Sequence, residues 1–202
     1  VDIDMVAGPS EILILADESA PAAYVAADLL SQAEHDKLAS AIVVTTDEAL
    51  AHAVCEQVEQ QIKARARAEI IRASLRDYGA IIVVPDTVAA CRIANEIAPE
   101  HLEIMTKNPR ADMEQIQNAG AIFLGNYSPE PLGDYMAGPC HVLPTSGTAR
   151  FFSPLSTDSF LKKSSVIEYS APALQALSDQ IETLARAEGL DAHANSIEVR
   201  RS

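Results

Sequence analysis

The feature that most constrains the fold is an alternation of short, β-branched apolar runs with longer stretches of helical periodicity. Each apolar run spans four or five residues, which is strand-length and far below the roughly 20 residues of a membrane-spanning helix. The runs predict strands at Ile12–Leu15, Ala41–Val44, Ala80–Val84, Leu102–Met105 and Ala121–Leu124. Five strands alternating with helices predict an α/β fold: a mostly parallel sheet with helices on both faces.

The stretches between and beyond these runs predict the helices. Residues 46–78 carry helical pattern in two segments, with Thr46 as the cap of the first. The other predicted helices are Pro21–His35, Thr87–Ile97, Pro109–Asn118, Thr157–Lys163 and Pro172–Glu188, and Ser196–Val199 is predicted as a short terminal strand. We therefore expect an α/β domain over residues 1–146 and a C-terminal helical arm over residues 147–202.

The region 125–147 lacks regular periodicity. It contains four of the eight glycines and four of the eleven prolines, so it is predicted to be a long structured loop. A loop of this length within a compact domain is usually functional. The chain as a whole carries no glycine-rich phosphate-binding motif.

Charge and cysteine content exclude some classes of protein. The net charge of −14 argues against a nucleic-acid partner, because phosphate backbones are bound by clustered Lys and Arg. Cys55, Cys91 and Cys140 are widely spaced and form no CxxC pair, which predicts a reducing compartment without disulfides. No secretory signal is visible, so we expect a cytoplasmic protein.

Two polar pairs stand at predicted element ends. Gln32 and His35 lie three residues apart at the end of a helix and share a face, as either a plain polar helix end or a pair of ligands. Glu100 and His101 lie side by side at a helix-to-strand junction. They form either a surface turn or a pair for general base catalysis, because both side chains can titrate near neutral pH.

The loop after the last predicted strand is the richest in functional groups. Asp134 and His141 are natural metal or substrate contacts among glycines that allow close backbone approach. The neighbouring Cys140 could be a thiol nucleophile, but adjacent residues rarely align as nucleophile and base. His193, taken alone, reads as a hydrated residue after the last long helix.

Taken together and in order, six segments resemble the histidinol dehydrogenase family, over its C-terminal half. The one departure is Cys140, where many members carry Asn. The matching segments are Ala7–Glu11, Ser31–Asp36, Ala98–Glu103, Asn118–Phe123, Gly133–Ala149 and Glu188–Asn195. The resemblance implies a Rossmann-like, aldehyde-dehydrogenase-like fold. It also implies a homodimeric zinc enzyme that oxidises L-histidinol to L-histidine through an aldehyde, with two NAD.

The resemblance also implies roles for particular residues. Glu100 and His101 match the catalytic pair. The zinc ligands, which also contact substrate, match Gln32, His35, Asp134 and His193, and further substrate contacts match Ser10, Glu188 and His101. His193 and Glu188 are expected to reach the neighbouring subunit. The family's NAD contacts lie upstream of Gly8, so we expect them in a segment that this chain lacks.

Three alternatives remain open at this stage. The chain could be a fragment or remnant that holds zinc and imidazole but lacks the NAD site. It could be a related zinc-dependent dehydrogenase of another alcohol, although Ser10, Glu188 and His193 favour histidinol. Thiol hydrolysis at Cys140 is the least favoured.

Overall fold

The structure, a computed structural model, describes residues 5 and 7–201. Its centre is a five-stranded, wholly parallel sheet in the order β3-β2-β1-β4-β5. The strands are β1 (Glu11–Ala16), β2 (Ser40–Thr45), β3 (Gly79–Val83), β4 (His101–Met105) and β5 (Ala121–Leu124). All five coincide with the predicted apolar runs to within one or two residues, and the α/β prediction is confirmed.

Helices connect the strands and continue beyond them. Asp47 caps the second helix, because its side chain accepts a hydrogen bond from the backbone N–H of Ala49 at 3.0 Å. The helices are α1 (Ala22–Ala33), α2 (Glu48–Gln61), α3 (Ala68–Tyr78), α4 (Thr87–Ile97), α5 (Pro109–Met113), α6 (Glu130–Tyr135), α7 (Ala171–Ala187) and α8 (Asp191–Glu198). Thr46 is therefore not the cap of α2, as the sequence predicted; the cap is the next residue, Asp47.

Each face of the sheet has its own apolar core. Ile12 and Ile14 of β1 pack with Met105 of β4 beneath α1, α2 and α3. Leu13 and Leu15 point to the other face and pack with α4. Because side chains alternate along a strand, the odd-numbered residues of β4 face α1. His101 and Glu103 therefore lie on the α1 side of the sheet.

Several predicted bounds were wrong beyond the fourth strand. The helix from Pro109 ends at Met113, and residues 157–163 contain only a 3-10 turn over Thr157–Phe160. The long loop contains helix α6. The predicted strand Ser196–Val199 is helical instead, because Ala194 packs in the interior and Arg186 pairs with both Asp191 and Glu198 across the turn between α7 and α8.

The described residues form two compact units that meet in sequence between Phe160 and Leu161. The first contains the sheet and α1–α6. In the second, α7 and α8 pack on each other, and Arg201 pairs with Glu182. The predicted boundary at residue 146 and the role of residues 147–202 as a partner-contacting arm stay predictions. No helix in the described part of the chain is both long and apolar enough to cross a membrane.

Candidate active site at the amino edge of the sheet

The candidate site lies where the strands begin. Helix α1 leaves the carboxyl end of β1 and returns to the start of β2, so its last residues lie at the amino edge of the sheet. Gln32 is at that end of α1, and His35 follows it. Ser10 directly precedes β1, and His101 is the first residue of β4. The sheet topology thus brings these predicted site residues to one edge.

Glu11 makes four hydrogen bonds, three of which hold the residues at the start of β4. Its backbone N–H donates to Glu100 Oε2 at 2.9 Å, and its Oε2 accepts from the Glu100 N–H at 3.3 Å. Its other carboxylate oxygen accepts from the N–H of Ser146 at 2.8 Å. Its carbonyl oxygen lies 2.9 Å from Nδ1 of His101. Glu11 therefore holds both members of the predicted catalytic pair and the end of the 125–147 loop.

These contacts set the protonation of His101. A carbonyl oxygen only accepts, so Nδ1 donates to Glu11 and the neutral ring keeps its lone pair on Nε2. Nε2 is buried and has no hydrogen-bond partner among the described residues. Burial also lowers the pKa of His101 below its usual 6.5. The ring is therefore neutral at pH 7, with an acceptor nitrogen available.

The pKa of Glu100 is shifted in the opposite direction, upward. Burial raises the pKa of its carboxyl to about 7, with a further contribution from the charge of Glu11. Its Oε2 also lies 3.5 Å from Nδ1 of His101. A carboxyl group that titrates near pH 7 is suited to general base catalysis.

Three more buried acids lie near Glu100 and His101. Burial is the main cause of the raised pKa values of Asp28 (to about 6), Glu103 (to about 9) and Glu130 (to about 8). Nearby charges add to the shift: Asp28 acts on Glu103, and Asp134 acts on Glu130. Several of these carboxyls therefore hold protons at neutral pH, because so many acids cannot ionise together inside a protein.

Part of this site has the arrangement of a metal centre. Ligand atoms of His101, Glu130 and Asp134 all lie within 4.8 Å of one another. Nε2 of His101 is 3.7 Å from Oε1 of Glu130, which is itself buried without a hydrogen-bond partner. Asp134, a predicted zinc ligand, is thus beside the predicted catalytic base.

The other predicted zinc ligands differ in their surroundings. Gln32 is fully buried, and neither polar atom of its amide has a hydrogen-bond partner among the described residues. Such an amide is costly unless something else binds it. His35 is exposed but close enough to His101 for the two imidazoles to repel when charged. These observations fit a metal held by nitrogen and oxygen donors.

His193 and Glu188 lie in the second compact unit, and both are exposed there. His193 is in the first turn of α8, and Glu188 caps the end of α7. Their predicted roles in zinc and substrate binding stay predictions.

A cavity of about 250 Å³ opens beside the acidic cluster. His101 and Asp134 line it together with Phe123 and His141. The tilted ring of Phe123 lies 6.1 Å from that of His101. This volume suits only a small molecule, and the lining offers both apolar surface and ionisable groups to it.

His141 and Cys140 do not combine into a thiol site. Nδ1 of His141 faces Asp134 Oδ1 at 4.0 Å, and the sulfur of Cys140 accepts a hydrogen bond from the N–H of Val142 at 3.4 Å. Both residues are exposed. These contacts give no support to a nucleophilic Cys140.

Sequence reasoning missed four acids of this cluster: Glu11, Asp28, Glu103 and Glu130. Two of them carried a usable signal. Glu103 interrupts an otherwise apolar strand, and Asp28 stands on the apolar face of α1 one turn before Gln32. A charge at an interior position is costly unless it is paired or protonated, which marks such positions as unusual.

Fold and site together define a parallel α/β protein with a buried acid–imidazole cluster at the amino edge of its sheet. The sequence profile of the family described as "Histidinol dehydrogenase" matches residues 1–201. The chain belongs to the histidinol dehydrogenase family.

Individual relatives agree with this assignment. A histidinol dehydrogenase of Clostridium acetobutylicum is 59% identical over 200 residues, covering 99% of this chain and 46% of that protein. One from Caldanaerobacter subterraneus is 62% identical, with the same coverage. The crystal structure of histidinol dehydrogenase from Elizabethkingia anophelis superposes with a TM-score of 0.94 at 42% identity, over 99% of this chain and 46% of that one. This chain therefore spans about half the length of the relatives it matches.

Proposed function

We propose that this chain forms the zinc- and substrate-binding part of an enzyme that oxidises L-histidinol to L-histidine through an aldehyde, the last steps of histidine biosynthesis. The proposal rests most directly on the cluster of His101, Glu130 and Asp134, whose ligand atoms lie within 4.8 Å of one another beside the cavity. Family membership supplies the reaction class.

Zinc is the metal that we propose beside this cluster, with Asp134 as the residue that belongs to both the cluster and the zinc site. Gln32, His35 and Asp134 of one chain would hold it, together with His193 from the neighbouring subunit. The buried, partnerless amide of Gln32 supports this set. When bound, zinc would orient the substrate and polarise its hydroxyl group.

His101 is the proposed base of the first oxidation. Its Nε2 accepts the hydroxyl proton while hydride leaves the carbon, and the contact of Nδ1 with Glu11 holds the ring in the required tautomer. NAD, when bound, supplies the hydride acceptor. We place its contacts in a protein segment outside this chain.

Glu100 is the proposed base of the second oxidation. The aldehyde must be hydrated before a second hydride can leave, and the Glu100 carboxylate would take the proton from the attacking water. Its pKa of about 7 supports this role, because the group is then partly ionised at neutral pH and more basic than an ordinary carboxylate.

The second compact unit has a proposed role in a homodimer. Its exposed Glu188 and His193 would complete the substrate and zinc sites of the neighbouring subunit, while Ser10 contacts substrate within its own chain. We also place the protein in the cytoplasm, in keeping with its three free cysteines.

The test compares two proteins. One is this chain alone, and the other is this chain joined to the amino-terminal segment of the Clostridium acetobutylicum relative. Each is supplied with Zn²⁺, histidinol and NAD, and NADH is followed by absorbance. We expect the joined protein to form NADH from histidinol, and this chain alone to bind zinc without forming NADH.

Each other result has a definite meaning. NADH formed by this chain alone would contradict the placement of the NAD contacts outside it. A joined protein that binds zinc but oxidises other alcohols in preference to histidinol would contradict the proposed substrate. In the joined protein, Cys140→Ser should keep full activity, and its loss would favour the thiol alternative.

A further inference from the structure

The three elements that carry site residues share a pattern. On each element, a buried acid lies on the same face as the site residue. The acid is one side-chain position further from the amino edge of the sheet. The step is four residues on a helix and two on a strand, and both spacings keep two side chains on one face. The pairs of acid and site residue are Asp28 and Gln32 on α1, Glu103 and His101 on β4, and Glu130 and Asp134 on α6. A second row of carboxyls therefore lies beneath the site.

Glu103 is the central member of this row. It is 1% exposed, and its Oε1 accepts a hydrogen bond from the backbone N–H of Glu130 at 2.7 Å. That N–H begins α6, and Pro129, the residue before it, offers no side-chain cap. The first N–H groups of a helix have no partner within the helix, and Glu103 supplies a partner for the first of them in α6.

Asp28 is the other acid of this row that acts on Glu103. Burial raises the pKa of both carboxyl groups, and the charge of Asp28 adds to the shift of Glu103. Oε2 of Glu103 has no hydrogen-bond partner in the described part of the chain. The protonated form of Glu103 is therefore favoured over the ionised form.

We propose that Glu103 is a positioning residue: its carboxyl group anchors the start of α6 to β4 and so sets the distance between His101 and Asp134. The inference rests on the proposed function only in treating Asp134 as a zinc ligand. The anchoring itself is a property of the chain without metal.

Two substitutions separate anchoring from mere filling of space. Glu103→Gln keeps an oxygen for the Glu130 N–H and carries no charge, so it resembles the protonated acid. Glu103→Leu keeps comparable volume but offers no acceptor. The Leu variant leaves the Glu130 N–H without its acceptor, which is destabilising, so its fold is checked by circular dichroism before either measurement. Glu103→Met, which also fills the space and has only a weak sulfur acceptor, gives the same comparison if the Leu variant does not fold.

Two measurements are made on the whole chain with each variant. The first is amide hydrogen exchange over residues 130–136 without metal. The second is Zn²⁺ affinity by competition with a chelating dye. We expect the Leu variant to exchange at least about tenfold faster over α6 and to bind Zn²⁺ about 10- to 100-fold more weakly, as is usual when a residue supporting a ligand is lost. The Gln variant should match the wild type in both.

Glu56→Leu, an exposed change on α2, is the control and should alter neither reading. Wild-type exchange over α6 in the Leu variant would overturn the proposal, as would a Gln variant as impaired as the Leu variant. A wild-type chain that binds no Zn²⁺ would instead contradict the proposed function, and the exchange measurement would still decide the role of Glu103.

Discussion

Nδ1 of His101 lies 2.9 Å from the carbonyl oxygen of Glu11, so the first residue of β4 is hydrogen-bonded to the first residue of β1. The strands are neighbours in the sheet, and this contact crosses their amino ends. Because it occupies Nδ1, the lone pair of the neutral ring is on Nε2, beside Glu130 and Asp134. The backbone of β1 thus orients the imidazole of His101, the proposed base at the start of β4.

Replacing His101 by Asn should slow the oxidation of histidinol in the joined protein by about 10²- to 10⁴-fold, the usual contribution of a general base. The shorter side chain no longer offers an acceptor at the position of Nε2. The measurement is the steady-state rate of NADH formation. His52→Asn, an exposed change on α2, is the control and should have no effect. A His101 variant with the wild-type rate would exclude this residue as the base.

Replacing Glu100 by Gln should slow the aldehyde-to-acid step more than the alcohol step, because only the former needs an activated water. The two half-reactions are measured separately, starting from histidinol and from the aldehyde. Glu56→Gln on the exposed face of α2 is the matched control. Equal losses in the two half-reactions would contradict the separate roles of Glu100 and His101.

The chain without metal should lose stability as pH rises from about 6.5 to 9. In the unfolded chain the carboxyls are ionised throughout this range, whereas burial raises the folded-state pKa values of Glu100, Glu130 and Glu103 to about 7, 8 and 9. The folded state therefore binds more protons, and stability falls as they are released. Burial lowers the pKa of His101, so its contribution to stability rises with pH, but this opposing effect fades above the ordinary histidine pKa of 6.5.

Thermal unfolding midpoints at several pH values measure this effect. Glu103→Gln removes one titrating group and should make the fall shallower. A midpoint that stays constant or rises between pH 6.5 and 9 would show that the buried acids are not protonated as described.

Residues of the second compact unit should act in trans. Joined proteins carrying Asp134→Asn or His193→Asn should each be inactive, because each lacks one zinc ligand. Refolding the two together forms mixed dimers in which one site has both residues intact, so activity should return to about a quarter of the wild-type value. If the mixture stays inactive, His193 does not complete the neighbouring subunit's site.

The sequence was most informative where local pattern decides structure. Five β-branched runs predicted five strands, because a parallel strand buried on both faces is apolar along its length. The terminal run Ser196–Val199 was wrongly predicted as a strand, because a pattern of four residues is compatible with strand or helix. The packing of Ala194 favours the helix.

The candidate site was predictable only in part. Gln32, Glu100, His101 and Asp134 stood out through a family resemblance, and the structure shows Asp134 beside His101. The buried acids did not stand out, because their burial and their protonation depend on contacts between elements that are far apart in sequence. Glu103 accepts a hydrogen bond from the N–H of Glu130, which is 27 residues away in sequence, and no local pattern predicts that contact.

Zinc binding by wild-type and variant chains tests the account most directly. Elemental analysis and dye competition on the purified chain should show about one tightly bound Zn²⁺ per chain, as expected for a site of nitrogen and oxygen donors. Asp134→Asn and Gln32→Leu should each weaken binding at least about tenfold, while Gln60→Leu, at an exposed position on α2, should not. A wild-type chain without bound zinc, or site variants that bind it as tightly as the wild type, would contradict a metal site at this edge of the sheet.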